Sequence, residues 1–331
     1  MAERTLLPFV EAVDNFDPRY AAERGFARWY LDETYTTVIG LIPQSTLQAM
    51  RGWMESHGPT FTVVWDETIR STTVAFSHGI DSPKRRTEIM KDLCEEWRDG
   101  GLFPDEIGGR KWRNEQYTVY YHPYADLRPE NVAFTMERAA CKLFGVVTYG
   151  VHMTMYRRVD GEVRIWVPTR SRNKQTWPLY LDNSVAGGIP HGMSPLDSMV
   201  KECEEEASLP PDLVRAHIKQ VSSISYFTQN AEKWLEPEVQ YVYEMFLPDG
   251  VDAKPAPSDG EVESFEMCNL DDILEKMHAG KFKPNCGAVI IDFMIRHGYL
   301  TAENEPNYLE IITRLHRRAE GYGPVPKESS H

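Results

Sequence analysis

Three glutamates in one short stretch, Glu202, Glu205 and Glu206, offer the clearest chemistry in the chain. At roughly 100° per residue they fall on one sector of a helix, whereas Lys201 and Glu204 project from the other flank. Like charges at these spacings destabilise a bare helix by a few tenths of a kcal/mol per pair, so their clustering implies a compensating cation. Magnesium fits best. It is a hard ion that takes oxygen ligands and bridges carboxylates to phosphates. A solvated acidic face is the competing account, and the glycine loop that precedes the helix, Gly187-Gly188-Ile189-Pro190-His191-Gly192, favours the metal.

The helix that must carry these acids is marked at both ends. Ser194 is a good N-cap, Pro195 suits the first helical position, and Asp197 is placed to complete a capping box. Pro210 and Pro211 stop it. Leu196, Met199, Val200, Cys203 and Ala207 recur as one apolar stripe facing the core. Two lookalikes fail on their residues. Gly187 and Gly192 have the spacing of a phosphate loop, but Met193 stands where the lysine belongs. Ser198 and Lys201 make an S-x-x-K match without its companion triplets.

Around this segment the chain reads as two domains of mixed α and β structure, an α/β (α+β) protein of 331 residues. In the first part, Phe61–Trp65 and Ser71–Phe76 pattern as a hairpin. Ser82 and Pro83 open a helix that Gly100 closes, and Phe134–Leu143 reads as another helix. The seam is expected near residue 130. Beyond it, Val146–Tyr156 and Glu162–Val167 flank an Asp160-Gly161 turn. Strands are expected near 221–226 and 239–247, helices over 270–279 and 288–297 with Gly280 and Gly298 as caps, a last helix over 308–318, and a disordered tail from Gly321.

Composition narrows the partners. A formal charge of -14, from 50 acids and 36 bases, argues against nucleic acid and membrane surfaces. An anionic substrate then needs a metal or a local basic patch. Five cysteines without a C-x-x-C pair suggest buried free thiols in a reducing compartment. No apolar run suits a signal or a membrane span, and Met1–Tyr20 is acidic, so the cytoplasm is expected. Oligomeric state is not legible.

The segment resembles a Nudix box. Gly187 matches its first glycine, Glu202 the glutamate after its arginine, Cys203 an apolar site, Glu205 and Glu206 the paired glutamates, and Leu209 its end. Met193 replaces its first glutamate, Lys201 its arginine and Ser208 its final glycine. Lys201 keeps the charge but lacks the planar fork. The runs Arg170–Pro178 and Leu181–Gly188, Trp112-Arg113-Asn114-Glu115 and Lys283-Pro284-Asn285 are similar to the Nudix branch found fused to thiamine pyrophosphokinase in some fungi, where a lysine and an apolar residue at the two departing positions are tolerated. The resemblance implies a Nudix α/β/α sandwich with a mixed sheet over residues 131–305. It implies a smaller α+β domain over 1–130 and a C-terminal helix and tail over 306–331.

The implied activity is hydrolysis of a small organic diphosphate, thiamine diphosphate or its damaged forms, to the monophosphate. Mg²⁺, with Mn²⁺ as a substitute, would be held by Glu202, Glu205, Glu206 and the Gly187 carbonyl. A late-loop carboxylate, Glu261 or Glu263, is the candidate general base. Arg170, Arg172 and Lys174 are candidates to clamp the anionic tail, although a solvated basic loop reads equally well. Trp177 and Tyr180 suit a cationic ring and His191 a phosphate. Two rivals stay open. An isopentenyl diphosphate isomerase shares the fold but needs a cysteine just before the box, where Asn183-Ser184-Val185-Ala186 stands; a noncatalytic diphosphate sensor needs no turnover.

Overall fold

The computed structural model of the chain describes residues 5–317 and 321–324. A short helix α1 (Leu7–Glu11) precedes strands β1 (Ala27–Tyr30) and β2 (Thr37–Ile42), helix α2 (Gln44–His57), strands β3 (Phe61–Asp66) and β4 (Ser71–Phe76), and helix α3 (Pro83–Asp99). One-turn helix α4 (Pro104–Ile107) leads to β5 (Gln116–Tyr120), β6 (Val132–Glu137) and short helix α5 (Cys141–Phe144). Next come β7 (Thr148–Val159), β8 (Glu162–Arg170), β9 (Val185–Gly188), α6 (Pro195–Ala207), α7 (Pro211–His217), β10 (Ile218–Gln229) and β11 (Leu235–Phe246). The series closes with β12 (Val262–Cys268), α8 (Leu270–His278), α9 (Pro284–Arg296), α10 (Tyr308–Leu315) and β13 (Gly323–Pro324).

These elements sort into two compact units. Of the described residues, one unit holds 15–148, 227–238 and 321–324, and the other 5–14, 149–226 and 239–317. The division therefore falls at Thr148 rather than near residue 130. The physical reason is β6, which pairs antiparallel with β5 and buries Phe134 in the first unit's core. The helix expected over Phe134–Leu143 is thus strand β6 in its first half, followed by a 3-10 turn over Arg138–Ala140 that runs into the single turn of α5.

The first unit is built on a mixed sheet of order β13-β2-β1-β4-β3, in which β1 runs parallel to β4 and the other neighbouring strands pair antiparallel. The β3–β4 hairpin pairs Phe61 with Phe76, as its β-branched and aromatic residues suggest. Trp29 is central, with ring centroids 5.5 Å from Phe76 and 5.2 Å from Phe144. Gly321, expected to begin a disordered tail, leads directly into β13, which pairs with β2. The rest of that expected tail lies outside the described residues.

The second unit carries a sheet of order β10-β11-β7-β8-β12, with β9 paired to β7. The β7–β8 hairpin turns at Asp160 and Gly161, both at positive φ (54° and 83°), as an Asp-Gly turn demands. Alternation along β7 assigns its two faces. Even positions meet α9, where Tyr156 lies 5.3 Å from Phe293 between ring centroids. Odd positions meet α6, where Met153 Sδ lies 3.9 Å from Cys203 Sγ. Helices therefore cover the sheet on both sides. Helix α9 starts earlier than its periodicity indicated, at Pro284, and α10 ends earlier, at Leu315. Gly280 and Gly298 follow helices α8 and α9 at φ of 67° and 72°, left-handed as expected of caps. Among the described residues no helix is long and apolar enough to cross a membrane.

Candidate active site

Helix α6 begins on Ser194, whose Oγ accepts the Asp197 N–H at 3.1 Å and donates to Asp197 Oδ2 at 2.7 Å. The expected capping box therefore closes between side chains, because Arg215 draws the other Asp197 oxygen to 2.7 Å. Met199, Val200, Cys203 and Ala207 are buried, but Leu196 is 38% exposed. Its cover runs out: α6 has 13 residues, roughly 20 Å, and β9 beneath it has four, roughly 13 Å. The helix ends at Ser208 with φ 55°, a left-handed position that glycine occupies at least cost.

Glu202 crosses from α6 to β9 so closely that a Cβ on Gly187 would lie 2.3 Å from its Cδ. Position 187 therefore admits glycine alone while Glu202 holds this place. One turn on, Glu206 is 7% exposed and accepts the Ala186 N–H at 3.3 Å. Burial pushes its acid up to about 8; Lys174 pulls the other way, and the charges of Asp182 and Glu202 add to the rise. Glu205 departs from the expected convergence. Its side chain is half exposed and takes the Lys201 ammonium at 2.5 Å, while the same ammonium stands 3.6 Å from Glu202. Lys201 thus reaches back over the acidic sector instead of leaving by the other flank.

The three glutamates do not converge to one point in this structure, but in donor type the set on α6 and β9 suits a hard divalent cation. It is oxygen-only, it includes a buried carboxylate whose charge its neighbours do not fully compensate, and it rests on a glycine cradle.

The basic loop before the box is largely occupied by its own fold. Arg170 donates from Nη1 to Asp182 at 2.5 Å, from Nε to the Trp177 carbonyl at 3.0 Å and from Nη2 to the Thr176 carbonyl at 3.0 Å. It pins the 171–180 loop, so the expected phosphate clamp is a structural tie. Arg172 gives its backbone and side-chain N–H groups to Glu263, at 3.0 and 3.1 Å. Those bonds hold the Glu263 carboxyl below its usual range, and this expected clamp and expected base answer each other. Lys174 is different: it pairs with Glu261 and lies 3.7 Å from Glu206. Of the two late-loop acids, Glu261 is the one linked to the box helix. Trp177, at φ 53°, is 41% exposed and meets Tyr180 edge-on at 5.0 Å. His191 lies exposed on the glycine loop.

Sequence reasoning missed a second grouping. Leu181 bridges both β8 and Phe282, which carries Asp182 against the first turn of α9. There the Cys286 thiol donates to Asp182 Oδ1 at 2.6 Å, and His152 Nδ1 lies 2.7 Å from Asn183 Oδ1. Burial opposes the Asp182 charge, yet Lys283, Arg170 and the Cys286 thiol hold its carboxyl well below the usual range. Burial, with Lys283 nearby, pushes His152 down to about 4, and burial raises the Cys286 thiol. All five cysteines are free and buried, as expected.

Residues 148–286 match the family profile of the NUDIX domain, and residues 10–148 that of a domain of unknown function, DUF4743. An uncharacterized protein of Saccharomyces cerevisiae is 42% identical over 225 residues, covering 64% of this chain and 63% of the relative. Nudix hydrolase 20, chloroplastic, of Arabidopsis thaliana is 37% identical over 240 residues, 72% of this chain and 60% of that protein. Nudix hydrolase 24, chloroplastic, of the same plant is 35% identical over 246 residues, 73% and 62% respectively. The chain thus spans 60–63% of the length of these relatives.

Proposed function

With residues 148–286 forming a Nudix domain, we propose that the chain hydrolyses a small organic diphosphate in a divalent-cation-dependent reaction. The observation that carries this reading is Glu206: a buried carboxylate beside Glu202 and the Gly187 cradle, whose proton affinity burial raises and a bound cation would lower. Glu202, Glu205, Glu206 and the Gly187 carbonyl would hold Mg²⁺, or Mn²⁺ in its place. When bound, such an ion neutralises phosphate charge and lowers the pKa of water.

The chain's own residues do the rest. Glu261, tied to the box through Lys174, would take a proton from water once substrate draws that lysine away. Lys174 then serves as a point charge for the terminal phosphate. Trp177 offers an exposed face to a cationic ring, which favours thiamine diphosphate or its oxidised analogues as substrates, in keeping with the resemblance to the branch fused to thiamine pyrophosphokinase. The free, buried cysteines favour a reducing compartment such as the cytoplasm, which cell fractionation checks.

The test is hydrolysis with and without Mg²⁺, read by chromatography of the products, against thiamine diphosphate, its oxidised analogues, ADP-ribose, nucleoside diphosphates and isopentenyl diphosphate. Turnover is expected on the thiamine compounds, and Glu205→Gln should lose most of it. Saturable binding without turnover would turn the reading to a sensor. Full activity in Glu205→Gln would remove the carboxylate assignment.

A further inference from the structure

The grouping of His152, Asp182 and Cys286 brings three different donor types to one point inside the second unit. They are 3%, 7% and 0% exposed, and one ligand atom from each lies within 4.8 Å of the other two. We propose that these three residues bind a zinc-like divalent cation, through one imidazole nitrogen, one carboxylate oxygen and one thiolate sulfur. This site is distinct from the oxygen-only set on α6. A mixed nitrogen, oxygen and sulfur set suits zinc, whereas magnesium rejects sulfur, so two cations would sort themselves between the two sites by donor type.

The contacts around the trio are those that orient ligands. In the tautomer that donates from Nδ1 to Asn183 Oδ1, His152 keeps the Nε2 lone pair for a metal. Arg170 holds Asp182 by Oδ2, which leaves Oδ1 turned to the Cys286 sulfur. Asn183 Nδ2 donates to the Cys286 carbonyl at 3.2 Å and so fixes the turn that carries the thiol. The same asparagine therefore positions two of the three ligands.

Binding releases the Cys286 proton to solvent, and the resulting thiolate and the Asp182 carboxylate supply two negative charges to a 2+ ion, against the opposing charge of the nearby Lys283. Arg170, already on Asp182, stays as its outer partner. Three protein ligands leave one tetrahedral position for water or another group. The competing account is a core hydrogen-bond network made by the same residues, in which Cys286 stays protonated.

The two accounts separate on the full chain stripped with chelator and reloaded. Zinc analysis after desalting in excess Mg²⁺ should give one zinc per chain. X-ray absorption at the zinc edge should show a single sulfur neighbour. Co²⁺ substitution should give a thiolate charge-transfer band that Cys286→Ser abolishes and Cys268→Ser retains. Asn183→Ala should weaken zinc binding roughly 10–100-fold. Glu205→Gln, which alters the box, should leave the zinc stoichiometry at one. Wild-type protein that takes up no zinc, zinc without a sulfur neighbour, or a cobalt band that survives in Cys286→Ser would each overturn the proposal. If Cys286→Ser does not fold, the absorption spectrum of wild-type protein decides alone.

Discussion

Glu206 and Asp182 are equally buried, each 7% exposed, yet their acids move in opposite directions. Asp182 has Arg170 at 2.5 Å, the Cys286 thiol at 2.6 Å and the Asn183 N–H at 2.8 Å, and it stays charged far below the normal range. Glu206 has one backbone N–H at 3.3 Å and an ammonium at 3.7 Å, and burial pushes it up to about 8. Burial alone does not decide which carboxylate keeps its charge. The number and closeness of donors do. A carboxylate ringed by donors stays ionised without an ion beside it; one with few donors holds its proton until a cation takes that place.

The largest break in this comparison should come from Arg170→Met, which strands the Asp182 charge. It is expected to destabilise the fold by about 3–5 kcal/mol, read as a lowered urea midpoint. Second, Mg²⁺ at a hundred times its dissociation constant should stabilise the wild-type protein by about 2.7 kcal/mol, and Glu206→Gln should lose that gain without losing the fold. An unchanged Mg²⁺ response in that variant would equate the two carboxylates.

A third, subtler difference is the pH response of chelator-treated protein. Glu206 binds its proton more tightly in the folded chain, so unfolding releases that proton between about 4.5 and about 8, and stability should fall as pH rises through that window. Asp182 works in the opposite sense. Its unfolded form binds the proton more readily, so its contribution is lost as pH falls below the ordinary carboxylate range. Denaturation midpoints from pH 3 to 9 would show both limbs, with Mg²⁺ flattening the upper one. The smallest effect belongs to the exposed Arg172–Glu263 pair, where Glu263→Ala should leave the midpoint unmoved.

What the sequence revealed followed from local rules. Asp160-Gly161 requires a tight turn, Ser82 caps α3, and the spacing of Glu202 and Glu206 puts both on the face beside β9; each of these depends on residues within a few positions. Phe134–Glu137 departs from the helix expected over Phe134–Leu143 because a short apolar run fits strand and helix alike, and only pairing with β5 settles it. The role of Arg170 was hidden for a different reason. Its partners Thr176, Trp177 and Asp182 meet it because Trp177 and Leu179 take left-handed backbone, which nothing in their side chains announces. Cys286 and Asp182 stand 104 positions apart, so their meeting is a product of topology and not of spacing.

The order in which the polypeptide is made adds a constraint of its own. Strand β2 ends at Ile42, but β13, the two-residue strand that pairs with Thr37 and Val38 on its free edge, arrives only at Gly323. At roughly 5–20 residues per second, a nascent chain leaves that edge bare for tens of seconds. Such an edge recruits stray strands. Release of the chain upstream of Gly323 would therefore leave Thr37 and Val38 without their β13 partners, a border open to strand addition.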